Sequence, residues 1–196
     1  MAQSRENKTL SQFKSKLVGG GARPNLFEVE LTTLPAGITW DAEVFRYLCK
    51  AAALPASNIA QIDVPFRGRI FKVAGDRTFD VWQITVINDE DFKIRTAFED
   101  WMNQISKLDN NIGATSPEAY MTNAKVYQLG RGSSKASQDN NGGSNAVLKE
   151  YEFVDIFPTA ISAIDLSYDT SDAIEEFTVD FQVQTFNVVA GNSPNG

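Results

Sequence analysis

The stretch Ile59 to Trp101, IAQIDVPFRGRIFKVAGDRTFDVWQITVINDEDFKIRTAFEDW, decides the fold. Two apolar-rich runs, Ile59 to Val64 and Arg69 to Ala74, flank Pro65-Phe66-Arg67-Gly68, and that combination reads as a hairpin corner. Gly75-Asp76-Arg77 reads as a second turn, with glycine supplying a positive φ. It leads into a strand from Phe79 to Ile87 whose β-branched and aromatic residues on both faces place it centrally in a sheet. Asn88, Asp89, Glu90 and Asp91 then put side-chain acceptors and negative charge where the first amides and the dipole of a helix favour them. The helix is expected from Asp89 to about Ser106. Ile94, Phe98, Trp101, Met102 and Ile105 share its apolar face while Lys93, Arg95, Glu99 and Asp100 lie away from it, so that face should rest on the sheet.

Working outward, Met1 to Gly21 reads as an N-terminal arm with a short helical stripe of Leu10, Phe13 and Leu17 among Lys8, Lys14 and Lys16, ended by Gly19, Gly20 and Gly21. Its stripe is too small to fold alone, so it reads either as a frayed terminus or as an arm that orders only against a neighbouring subunit. A strand is expected from about Asn25 to Thr33, where Phe27, Val29 and Leu31 alternate with Glu28 and Glu30. A connection through Pro35 and Gly37 leads to a second strand near Val44 to Ala53, closed by Leu54-Pro55. Cys49 sits in its alternation with Phe45, Tyr47 and Ala51, which reads as a small core residue and not as a nucleophile. Beyond the helix, Lys107 to Glu118 is a polar loop and Thr122 to Leu129 a strand. Gly130 to Asn145 is so rich in Gly, Ser, Asn and Gln that an exposed mobile loop is expected. Strands are then expected at Val147 to Phe157, Ile161 to Tyr168 and Glu176 to Val188. The last sets Phe177, Val179, Phe181 and Val183 against Thr178, Asp180, Gln182 and Gln184.

The composition narrows the function. The 196 residues carry no histidine, one cysteine and a net charge of −7. The commonest metal ligand and near-neutral acid/base are therefore missing, and an acidic chain does not grip phosphate. One cysteine excludes an intrachain disulfide. Neither a leader nor an apolar run long enough to span a membrane is read at Met1, so the expected setting is a reducing cytosol. Glu150 with Glu152 and Glu175 with Glu176 are carboxylate pairs of the kind a glycosidase uses, yet acids on the wet side of a strand are ordinarily just solvated. Gly130-Arg131-Gly132 lacks the helix and lysine of a phosphate loop, and Asp109-Asn110-Asn111 and Asp139-Asn140-Asn141 lack the distal glutamate of a calcium loop. No catalytic, cofactor or metal site is read, and no enzyme is expected.

Ala22-Arg23-Pro24-Asn25-Leu26-Phe27, Cys49-Lys50 with Leu54-Pro55, Val73-Ala74-Gly75-Asp76-Arg77-Thr78-Phe79 with Trp82, Asn88-Asp89-Glu90, Trp101, Phe157-Pro158-Thr159 and Tyr168-Asp169 occur in the order found in tail tube proteins of contractile-tailed bacteriophages. The chain resembles that family from roughly Ala22 to Phe186. The fold is similar in the type VI secretion tube protein and in long non-contractile tails. The resemblance implies a mainly β fold, an antiparallel barrel or sandwich with one flanking helix. It implies one domain over 22–189 with a polar insertion at 130–146, an arm at 1–21 and a tail at 190–196. It also implies a virion protein that stacks as homohexameric rings into the tube through which DNA leaves without specific binding. Tail sheath, baseplate and tail terminator are the implied partners, and assembly takes place in the host cytoplasm. Within that frame Asp180, Gln182 and Gln184 are expected to face the lumen. Leu10, Phe13, Leu17, Pro35, Gly37, Trp40 and Asp41 are expected between rings. A tube of a related injection or secretion system and a soluble β-sandwich binding module are the alternatives, and stacked annular particles would separate the second from a tube.

Overall fold

Alternation puts Trp82, Ile84 and Val86 on one face of one strand and Phe177, Val179 and Phe181 on one face of another, and antiparallel pairing sets the two faces side by side. The computed structural model describes residues 9–17, 21–31, 33–54, 56–131, 147–169 and 172–189. The elements run α1 (Leu10–Lys16), β1 (Phe27–Glu30), α2 (Ala42–Leu48), β2 (Cys49–Ala52), β3 (Ser57–Phe66), β4 (Arg69–Phe79), β5 (Trp82–Ile87), α3 (Lys93–Ile105), β6 (Thr122–Leu129), β7 (Val147–Ile161), β8 (Glu176–Gln182) and β9 (Thr185–Val189), with a 3-10 turn at Pro117–Ala119. The larger sheet has the order β1-β6-β7-β8-β5-β2, with β9 also on β7, and β3 and β4 form a sheet of their own. The fold is mainly β with antiparallel pairs, as expected, but the larger sheet stays open and, among the described residues, a helix, α2, stands where the start of a strand was expected.

The chain falls into two compact units. The first comprises 1–28, 126–150 and 189–196. There Gln128 donates its amide to the carbonyls of Arg23 and Leu26, both at 2.8 Å, and Leu129 N–H donates to Leu26, so the segment entering β1 is tied to the end of β6. α1 begins with a capping box between Thr9 and Gln12, and none of its residues is buried.

The second unit, 29–125 and 151–188, holds the aromatic core. Trp82 stacks on Phe153 at 4.6 Å, and Phe98 of α3 meets Phe177 and Phe181 edge-on at 6.4 and 5.9 Å. Trp101 is fully buried and donates its indole N–H to the Tyr120 carbonyl at 2.7 Å, so its polar atom is satisfied. The expected helix face is present: Ile94, Phe98 and Trp101 are buried with Ala97, and Met102 and Ile105 are half-buried at its edge. Arg95 fixes the helix further, its guanidinium lying over the Phe177 ring and donating to the Ser162 carbonyl.

Several elements differ from expectation, each for a local reason. Residues 44–48 are helical, because Asp41 accepts hydrogen bonds from the Glu43 and Val44 amides and so starts α2. Phe45 is buried and Tyr47 is exposed, so they do not share a strand face. Cys49 is buried at the α2–β2 junction, and burial pushes its thiol up to about 12. Gly75 makes no turn: β4 runs through it to Phe79. A Cβ there would press on the Ala60 carbonyl and the Ile62 side chain, so the glycine permits close strand approach beside a bulge. β5 lies inside the sheet, but it is buried on one face only.

α3 starts at Lys93 with Phe92, in left-handed conformation, at its cap and no side-chain cap bond. Asn88 donates to Glu175 instead, and Asp91 pairs with Lys93. The strand expected at 161–168 is absent: β7 runs unbroken to Ile161, with a register shift around Pro158 that accommodates the missing N–H. The long final strand is two, because the chain bends at Val183-Gln184 between β8 and β9. Pro55, the tail 190–196 and most of the 130–146 insertion lie outside the described residues.

Candidate functional site

β3 and β4 form a hairpin turned by Arg67 and Gly68, both at positive φ, and it is longer than the sequence suggests because pairing extends from Ser57↔Phe79 to Phe66↔Arg69. Register assigns its faces. Ile62↔Val73 and Val64↔Phe71 stand directly opposite on one face with Phe66, whereas Asp63↔Lys72 closes an ion pair of 3.0 Å on the other. The hairpin is rooted where Phe79 meets Phe186 at 5.2 Å, and Phe186 in turn meets Phe153. Beyond that root every residue of β3 is exposed. Val64 is 44 % and Phe71 67 % exposed, in a face that is left uncovered among the described residues. A two-stranded ribbon is marginal in water, and a contiguous exposed apolar face marks an interaction surface.

The second surface is the polar side of β5 and β8. Gln83↔Asp180 and Thr85↔Thr178 are opposite one another, and Gln83 donates to the Asp180 carboxylate at 2.7 Å. At one end Lys50 of β2 pairs with Glu176. Asp180 and Gln182 are half-buried and lie on this face, while Gln184 is exposed at the bend beyond β8 and does not continue it. The face offers carboxylate, amide and hydroxyl groups, with its one named lysine held in an ion pair.

Among the expected inter-ring residues, Leu10 and Phe13 of α1 are exposed at 69 and 62 %, with Leu17 beside them. The other set is more engaged within the chain. Pro35 is buried, Trp40 donates its indole N–H to the Leu31 carbonyl at 2.7 Å and packs on Phe45 and Phe98, and Asp41 caps α2. Gly37 is exposed at a positive φ of 93°. The hairpin face escaped the sequence reading, although Ile62, Val64, Phe71 and Val73 signal it, because alternation shows that a face is apolar and not what lies against it.

Of the carboxylates read in pairs from the sequence, Glu175 accepts from Asn88, Glu176 accepts from Lys50, and Glu152 faces Lys125 at 3.9 Å. Among the described residues no cluster of three or more metal-ligating side chains exists, and no helix is long and apolar enough to cross a membrane.

The profile of the phage tail tube protein family matches residues 22–189. The tail tube protein gp19 of Enterobacteria phage T4 is 37% identical over 161 residues, covering 82% of this chain and 88% of its own. The tail tube protein of Serratia phage KSP90 is 23% identical over 177 residues, covering 89% and 93%. In fold, the chain is similar to a subunit of the anti-feeding prophage baseplate, with a TM-score of 0.61 at 10% identity over 88% of this chain and 98% of that one. It is similar also to the tube-terminating cap of the same particle, with a TM-score of 0.58 at 13% identity over 87% and 91%. With a family match over most of its length and a T4 relative well above chance identity, the chain belongs to the phage tail tube protein family, whose members are components of the virion tail.

Proposed function

We propose that this chain builds the inner tube of a contractile tail as stacked homohexameric rings, through which DNA passes without specific binding, and that it performs no catalysis. The observation that carries the reading is the uncovered apolar face of β3 and β4: a family member that spreads Ile62, Val64, Phe66, Phe71 and Val73 on a projecting ribbon has built half of an interface. Its open sheet, ending at β1 and β2, leaves backbone groups that a neighbour in a ring can pair. Six-fold symmetry is supported by the similar fold in the anti-feeding prophage baseplate, described as six-fold symmetrised. Partners of the kinds named in similar structures, a sheath, a baseplate and a tube terminator, fit the ends and outside of such a tube.

The polar face of β5 and β8 is the proposed lumen wall, with Asp180 and Gln182 in it and Gln184 at its margin. Phosphates held by free lysine or arginine would slow transit, and this face presents none among its named residues. The domain assignment proposed with it is one tube domain over 22–189 with flanking arm and tail. Negative-stain microscopy of the purified protein tests the reading: stacked annular particles are expected. A protein that remains monomeric at every concentration tried would overturn it.

A further inference from the structure

We propose that the α1 stripe of one copy docks in a groove of a second copy, formed beside the end of α3. This rests on the tube reading and names the partner of the arm within it. The groove, of about 630 Å³, lies wholly in the second unit; Leu34, Pro35, Ile112, Ala119 and Met121 supply apolar lining. Its wall is held in place. Gln104 donates to the Ala36 carbonyl at 2.9 Å, Ala114 N–H donates to the Gln104 carbonyl at 2.9 Å, and a side chain at Gly113 would overlap the Ile105 carbonyl. The volume suits a few apolar side chains, while Gln104, the amide best placed to orient a small polar ligand, is already committed to the protein's own backbone.

The occupant is specified by the arm. α1 has seven residues, too few to persist as an isolated helix, and Leu10, Phe13 and Leu17 are exposed on one side of it. Charge favours the same pairing. Arg5, Lys8, Lys14 and Lys16 against Glu6 give residues 1–21 a net charge of +3, which leaves −10 on the rest of the chain. In the groove lining Glu118 is available to a lysine of the arm, beside Lys107. Between α1 and Arg23, whose carbonyl is held by Gln128, the five residues Val18 to Ala22 can span about 17 Å when extended, a tether on which the arm can leave its own copy. Segments of this kind, basic and amphipathic, order on the surface that completes them.

The test mixes two full-length variants, Phe13→Cys and Ala119→Cys, under conditions in which the wild type stacks, and treats them with a short bis-maleimide; native Cys49 is buried and does not compete. A heterodimer crosslink that appears only in assembled material is expected. Leu10→Ser with Phe13→Ser should keep the wild-type melting temperature and lose tube growth, and Ala119→Trp, which fills the groove, should do the same. Stacked rings without the crosslink, or a crosslink formed only within one chain carrying both cysteines, overturn the docking and leave the tube reading intact. Binding of a small apolar dye to the groove that is indifferent to the arm variants overturns it as well. Wild-type protein that forms no stacked rings overturns the tube reading and this inference with it.

Discussion

The aromatic core around α3 and the projecting hairpin are written in the same code and meet opposite fates. In both, apolar residues alternate with polar ones along paired strands. Trp82, Phe177 and Phe181 are buried because α3 and Phe153 cover them, whereas Val64 and Phe71 stand in the open. The pattern specifies that a face is to be buried; only the chain's length and connections decide whether it can be buried from within. On the proposed assembly the second case is useful, since burial deferred to ring formation would make the folding energy of the ribbon part of the polymerisation energy.

The two regions should therefore respond differently to mutation. Trp101→Ala is expected to cost about 3–5 kcal/mol, since it removes a fully buried ring and leaves the Tyr120 carbonyl without its partner. Thermal or urea unfolding measures it, and a loss near zero would show that α3 is not clamped on the sheet.

Cys49 probes the same interior by pH. Its ordinary value of 9.0 rises to about 12 in the fold, so above pH 9 the unfolded chain gives up the proton first. Stability is complete below pH 9 and falls as the pH climbs toward 12, by about 1.4 kcal/mol per pH unit inside that window. Cys49→Ala should abolish this slope, read as the difference between the two proteins' unfolding curves. An identical alkaline slope in both would contradict the buried thiol.

That core was the legible part of the sequence. The helix face from Ile94 to Trp101 was readable because 3.6-residue periodicity over thirteen residues has no strand alternative, and β6 emerged with its ends in place. Residues 44–48 were not, because Val44, Phe45 and Leu48 satisfy helix spacing while Phe45 and Tyr47 satisfy strand alternation. One carboxylate, Asp41, settles it by capping. The breaks after Gln182 and beyond Ile161 and the passage of β7 through Pro158 depend on pairing partners distant in the chain, which local pattern does not carry. The polar face of Asp180 and Gln182 was readable as wet, and the hairpin face was apolar in plain sight, but neither could be matched to its occupant from one chain.

A smaller effect is expected at the polar face. Asp180→Lys removes the bond from Gln83 and should cost about 1 kcal/mol of stability, while leaving ring formation intact. In assembled phage it should slow DNA release, most at low salt where screening is weakest. Normal release at low salt would remove Asp180 from the proposed lumen.

The hairpin should show the least change in folding and the most in assembly. Val64→Asp with Phe71→Asp alters side chains that touch little in the isolated chain, so unfolding should shift by no more than about 0.5 kcal/mol, as for ordinary surface sites. Tube growth should nevertheless fail, because two carboxylates would have to be buried without partners. Normal tubes from this variant, seen by light scattering and microscopy, would erase the contrast between the two regions.

The central claim, that the apolar face of β3 and β4 is completed by other copies of the chain, is tested most directly by a cryo-EM reconstruction of the assembled wild-type tube. The account predicts six subunits per ring, with Ile62, Val64, Phe66, Phe71 and Val73 packed against a neighbouring subunit. A tube in which those five side chains still face solvent would contradict it.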